Sequence, residues 1–189
     1  MRRILGIDPG SVITGYGIVD SDGIRSFHVA HGCIRVEGDS LPEKLGFILN
    51  EVSNLIVQWE PAEVAIEQVF VSKNPMSALK LGQARGAAIC AAVQRGLPVA
   101  EYSARTVKQA AVGYGAADKE QMQEMIRMLL SLTELPAADA ADGLAVALCH
   151  AHSVSGARLI DSEGNKKEIP SLTRRGGGKR RAKRWVSIP

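Results

Sequence analysis

Four carboxylates stand where apolar segments begin or end. Asp8 closes the run Arg3-Ile-Leu-Gly-Ile-Asp8, just before Pro9-Gly10, and Glu67 closes Val64-Ala-Ile-Glu67. Asp139 and Asp142 open a run rich in alanine, leucine and valine. They are three apart, so on a helix they share a face, at the end whose dipole tolerates negative charge. Carboxylates that a fold gathers repel one another unless they are protonated or bridged by a cation. A set of oxygen ligands without Cys or His suits Mg²⁺, or Mn²⁺ in its place. Two such ions about 3.5–4 Å apart can hydrolyse a phosphodiester, one activating water and the other stabilising the leaving 3′ oxygen. Each acid alone has a plainer explanation: an Asp-Pro-Gly turn, an exposed strand end, a helix cap. The shared placement at element ends is what argues for a metal centre.

The elements that must position these acids are legible in outline. Residues 3–8, 15–20 and 24–36 read as three successive strands joined by tight turns, an antiparallel meander. Alternation puts Leu5 and Ile7 on one face of the first strand and Ile4, Gly6 and Asp8 on the other. Apolar residues from Leu45 to Trp59 recur at helical spacing, and Pro61 ends that helix. A strand over 62–67 follows, then a long helix over 76–95 stopped by Gly96, and a short strand over 99–102. Ser103 and Asp118 cap helices over 103–112 and 118–132, and a last helix covers 138–152. Strands first, then strand and helix in alternation, predict an α/β domain with a mixed sheet. If the strands ending in Asp8 and Glu67 are neighbours, the two acids lie roughly 5–10 Å apart.

Charge divides the 189 residues in two. Residues 1–157 hold 13 basic and 17 acidic residues, net −4, whereas 158–189 hold 10 and 3, net +7. We therefore expect one domain over 1–157 and a basic, disordered tail over 158–189, seven of whose basic residues fall within 173–185 around three consecutive glycines. The tail is read equally as a source of affinity for a polyanion such as nucleic acid through counterion release, with Trp185 stacking on a base, or as a neutral solvated extension. The acidic body by itself does not suggest a polyanion as partner. Cys33, Cys90 and Cys149 form no CxxC pair, so zinc is not expected, and they read as small buried hydrophobes in a reducing compartment. The absence of a membrane-length apolar stretch or a signal peptide predicts a cytoplasmic protein. His150 and His152 fall at the far end of the last helix, about two to three turns from the acids, and read as C-terminal cation-capable residues rather than ligands.

Four blocks carry a family resemblance: residues 6–17 (Gly-Ile-Asp-Pro-Gly-Ser-Val-Ile-Thr-Gly-Tyr-Gly), 65–70 (Ala-Ile-Glu-Gln-Val-Phe), 77–86 (Ser-Ala-Leu-Lys-Leu-Gly-Gln-Ala-Arg-Gly) and 138–145 (Ala-Asp-Ala-Ala-Asp-Gly-Leu-Ala). In order and spacing, over roughly 1–155, the chain resembles the RuvC family of crossover junction endodeoxyribonucleases. The resemblance implies a ribonuclease-H-like fold, a five-stranded sheet flanked by helices. It also implies a homodimer, four-way junction DNA as substrate, symmetric paired nicks, and the RuvA–RuvB branch-migration complex as partner. The family's catalytic acids match Asp8, Glu67, Asp139 and Asp142, with Asp8 as the candidate to bridge two Mg²⁺ ions. Matching lysines make Lys108 and Lys119 catalytic candidates beside the scissile phosphate, although any single lysine is more often a solvated one. Phe70 matches a residue that stacks on or wedges between junction bases; on its residues alone it reads as a core phenylalanine. Lys73, Lys80 and Arg85 are candidates for phosphate contacts. Gly82 and Gly86 are spaced for close helix approach, either within the chain or, as the resemblance implies, near a dimer seam.

Two other classes fit parts of the pattern. An actin- or hexokinase-like ATPase also opens with a strand, an aspartate and a glycine turn, but it needs a second domain for which 189 residues leave no room. A noncatalytic junction-binding module would gain nothing from four uncompensated carboxylates facing phosphate.

Overall fold

A computed structural model describes residues 1–69, 74–113 and 118–162, with side chains as far as 154. Strands β1 (Arg2–Asp8), β2 (Ile13–Ser21) and β3 (Ser26–Arg35) form the antiparallel meander. Strands β4 (Glu63–Glu67) and β5 (Val99–Tyr102) add in parallel on the other side of β1, giving the order β3-β2-β1-β4-β5. The first strand is thus the centre of a mixed five-stranded sheet flanked by helices, as the pattern predicts.

Alternation along each strand sends two apolar sets to opposite faces. Leu5, Ile7, Ile18, Val64 and Ile66 pack on helices α1 (Leu41–Trp59) and α2 (Pro75–Gln94) through Ile48, Val52, Ala84 and Ala88. Ile4, Val19 and Ala65 pack on the other layer, made of α3 (Ala104–Val112), α4 (Lys119–Leu129) and α5 (Ala138–Ser162), through Val107, Ile126, Leu144 and Leu148. Fully burying each such aliphatic side chain contributes about 1.5–3 kcal/mol, and with so few aromatics these residues and the alanines form most of the core.

The helix ends follow local chemistry. Ser40 and Glu43 form a reciprocal capping box at α1, as do Asp118 and Gln121 at α4, and the Asn74 side chain accepts from the amides of Met76 and Ser77 at the start of α2. Three expectations need correction. Helix α5 does not end at 152 but continues to Ser162, so His150 and His152 lie inside it, away from any C-terminal carbonyls. Asp139 lies in its first turn, but Asp142 sits a turn further in, beyond the strongest part of the dipole. Of the cysteines only Cys149 is buried; Cys33 and Cys90 are exposed.

Candidate active site

The parallel register of β1 and β4 pairs Ile7 with Ile66, so Asp8 and Glu67 follow side by side at the same end of the sheet. Both face the α5 layer, because each is two residues beyond a position (Gly6, Ala65) on that face. Helix α5 must come unusually close to bring Asp139 and Asp142 to them, and the sequence of the sheet permits it. Gly6 pairs with Gly17, and Asp8 with Gly15. A Cβ on Gly15 would lie 1.8 Å from the Asp139 carbonyl oxygen, and one on Gly17 2.5 Å from the Leu144 Cα. The close approach is mutual: a Cβ on Gly143 would lie 2.6 Å from the Tyr16 backbone. Only glycines along this seam allow the helix axis to sit where it does.

The result is a group of three. One carboxylate oxygen each from Asp8, Asp139 and Asp142 lies within 4.8 Å of the others. Oxygens around one Mg²⁺ at 2.0–2.1 Å are at most about 4.2 Å apart, so this donor set fits a hard divalent cation after a small closure. Glu67 is outside that trio but stands against it, close enough for its charge to act on Asp8.

Electrostatics at this end is therefore unbalanced. Burial pushes the Asp8 carboxyl up to about 8, and the charges of Glu67, Asp142 and Asp139 add to it, with Lys119 opposing. Burial, then the Asp142 charge, pushes Glu67 up to about 7 against the pull of Lys108. Burial raises Asp142 too, with both lysines opposing. Lys108 and Lys119 are thus near enough for their charges to act on these acids. In the absence of divalent cations the centre holds protons at neutral pH, and cations that bind must displace them.

The other expected residues are placed less uniformly. Lys80 is exposed and shares a cavity of about 280 Å³ with Ser11, Ser40 and Lys44, beside the turn that follows Asp8. Arg85 instead pairs with Glu101 of β5, its guanidinium mostly covered and its Nε buried without a partner. Phe70, Lys73 and nearly all of the basic tail lie outside the described residues. Sequence reasoning overlooked the glycine seam, although the Gly-Tyr-Gly of β2 and the alternation of β1 were its signal. It also overlooked Cys33, whose side chain lies near Asp139 and contacts the Ala140 backbone. His150 is not a helix-end cation: it is buried, with Nε2 2.6 Å from Glu63 and Nδ1 2.8 Å from the Tyr102 hydroxyl.

Comparison with known proteins agrees with this geometry. Residues 4–150 match the family described as "Crossover junction endodeoxyribonuclease RuvC". A protein of that name from Psychromonas ingrahamii is 60% identical over 153 residues, covering 81% of this chain and 88% of its own. One from Burkholderia thailandensis is 53% identical over 174 residues, covering 92% and 94%, so the similarity runs past residue 157 into the basic segment. The solved structure of "T. thermophilus RuvC in complex with Holliday junction substrate" superposes with a TM-score of 0.77 at 32% identity, over 83% of this chain and 97% of that one. With acids, lysines and glycine seam in a ribonuclease-H-like frame, and with similarity of this extent, the chain belongs to the crossover junction endodeoxyribonuclease RuvC family of nucleases.

Proposed function

We propose that this chain resolves Holliday junctions in recombination and DNA repair by paired, symmetric phosphodiester hydrolysis, using two Mg²⁺ ions per active site. The observation that carries this is the gathering of carboxylates at the end of β1 and β4 with those that open α5, where burial and neighbouring acids raise Asp8 and Glu67 against the charges of Lys119 and Lys108. Asp8, Asp139 and Asp142 would hold the ions, with Glu67 completing the shell. Mg²⁺ bound there supplies an activated water and a counter-charge for the leaving 3′ oxygen. Lys108 and Lys119 offset the negative charge that builds on the phosphate and keep the acids from repelling it. Lys73 and Lys80 contact flanking phosphates, and Phe70 stacks on a junction base; Arg85 would first have to leave Glu101. The acids themselves would serve any metal-dependent nuclease of this fold. The junction as substrate rests on the family.

A homodimer suits a substrate with two strands to cut. Its support is one face of α2, where Leu79 and Val93 are 54% and 59% exposed and Cys90 is exposed. Gly82 and Gly86 lie between them at helical spacing, and a Cβ on either would meet nothing within 4 Å. Among the described residues nothing packs where a side chain would stand at these glycines, which favours a second copy's helix as their neighbour. We further propose a nuclease domain over 1–157 followed by a basic tail over 158–189, action in the cytoplasm, and delivery of junctions by the RuvA–RuvB complex. No described helix is long and apolar enough to cross a membrane.

The test is a synthetic four-way junction with Mg²⁺ varied. The proposal expects Mg²⁺-dependent nicks, symmetric on two strands, and expects Asp8→Asn to bind the junction while cutting at least about 10³-fold more slowly. Cleavage by Asp8→Asn at the wild-type rate would refute the mechanism. A chain truncated after Ala157 that binds and cuts equally well at every salt concentration would remove the tail from DNA binding.

A further inference from the structure

Three of the four histidines line a single cavity of about 890 Å³: His28 and His31 on β3, and His152 on α5. In a regular strand residues three apart point to opposite faces. Here the register of β2 and β3 shifts between Ile18 and Val19, so that Ile18 pairs with Ala30 but Val19 pairs with His28, leaving Val29 as an extra residue. Directly opposed residues share a face. His28 opposite Val19 and His31 opposite Gly17 therefore both turn toward α5, and the bulge is what brings them together. Nε2 of His28 lies 2.8 Å from Nδ1 of His31, both rings half-buried.

We propose that His28 and His31 form a second metal site, for a divalent transition ion of the Cu²⁺ or Ni²⁺ class. With ring centroids 4.9 Å apart the two nitrogens point nearly at each other, so a small turn of each ring brings both lone pairs onto one ion at about 2.0–2.1 Å. Imidazole pairs bind Cu²⁺ most strongly among first-row divalent ions, and all-nitrogen donors separate this site from the oxygen-only centre. Burial lowers both imidazoles' pKa, in His28 with help from His31, so at neutral pH each ring is in the neutral form that ligates. In the metal-free protein one ring donates its N–H to the other. Binding needs both facing lone pairs, so the donor ring moves its proton to its other nitrogen and no proton is released. His152 is exposed on the α5 wall and outside first-ligand distance of the pair; turning inward would add a third nitrogen and tie β3 to α5. Of the nearby charges, Arg25 is turned to Asp22, 3.8 Å away, and Glu134 lines the same cavity.

The test is electron paramagnetic resonance of the full-length protein titrated with Cu²⁺ in excess Mg²⁺, which keeps the carboxylates occupied. The first equivalent should show hyperfine splitting from two imidazole nitrogens. His28→Gln and His31→Gln should each weaken binding at least about tenfold, while Mg²⁺-dependent junction cleavage without Cu²⁺ stays at the wild-type rate. In wild type, where folding of a variant is not at issue, paramagnetic broadening should begin at the His28 and His31 ring signals. Splitting that persists in the double variant, an oxygen-only signal, or broadening that begins elsewhere would each overturn the site.

Discussion

Glu63 and Glu67 lie on the same strand, on the same face, four residues apart, and both face α5. They are in opposite states. Burial alone would raise Glu63, but hydrogen bonds from His150 and Arg2 outweigh it and leave the carboxyl below its usual range. Burial likewise raises Glu67, and the next largest influence, the charge of Asp142, adds to the rise instead of opposing it. At the lower end of the sheet a buried acid is satisfied within the chain by Arg2, His150 and, through His150, Tyr102. At the upper end acids are gathered against one another, and the charges of Lys108 and Lys119 do not outweigh burial and mutual repulsion. A fold does not leave several carboxylates in that state for stability; the upper end is completed from outside. The lower end helps hold α5 on the sheet, while the glycine seam sets the position of Asp139 at the upper end.

The contrast can be broken most severely at the seam between the two ends. Gly15→Ala places a Cβ against the Asp139 carbonyl, so the start of α5 must lift. We expect a loss of about 3 kcal/mol or more in denaturant unfolding, and loss of cleavage even in the fraction that folds. At the lower end, His150→Ala removes a partner that Glu63 and Tyr102 share, leaving Arg2 on Glu63. Urea unfolding should show about 2–4 kcal/mol of destabilisation, with cleavage per folded molecule nearly unchanged. A cleavage defect as deep as that of Asp8→Asn would show that the two ends are not separable.

The smallest effect is in pH. Asp8 and Glu67 have pKa values raised above those of an unfolded chain, so the folded protein binds more protons than the unfolded one between the ordinary carboxylate range and about 7–8. Stability of the metal-free protein is then fully present below that range and is lost as pH rises through about 7 and 8. Glu63, lowered, works the other way: its contribution is present above the carboxylate range and lost on further acidification. Thermal melts in chelator should decline from pH 5 to pH 8 by at least about 1 kcal/mol, and saturating Mg²⁺ should remove most of the decline. A flat metal-free profile would contradict the unbalanced upper end.

Much of this was legible in the residues. The acids declared themselves by ending apolar runs, and period-two alternation placed Asp8 with Ile4 and Gly6 on the face that proves to carry α5. Every strand and helix was anticipated within a few residues except at one end, where α5 runs on to Ser162. What was hidden depends on register between distant segments. Gly6, Gly15 and Gly17 become a seam only once β1 and β2 are paired and α5 is laid across them. His150 reads as a helix-end cation until the helix is seen to continue past it and Glu63 is seen beside it. Arg85 reads as a phosphate ligand until β5 brings Glu101 to it. The face shared by His28 and His31 depends on a one-residue bulge that no local pattern announces.

The most direct test sets the two glutamates against each other. Glu67→Gln and Glu63→Gln are compared for metal-free melting temperature and for Mg²⁺-dependent nicking of a four-way junction. We predict that Glu67→Gln melts at or above the wild-type temperature at pH 8 and cuts at least about 10²-fold more slowly. Glu63→Gln should melt lower and cut at nearly the wild-type rate while folded. Wild-type cleavage by Glu67→Gln, or a loss of cleavage in folded Glu63→Gln equal to that in Glu67→Gln, would contradict the division of the sheet into a satisfied end and a metal-requiring one.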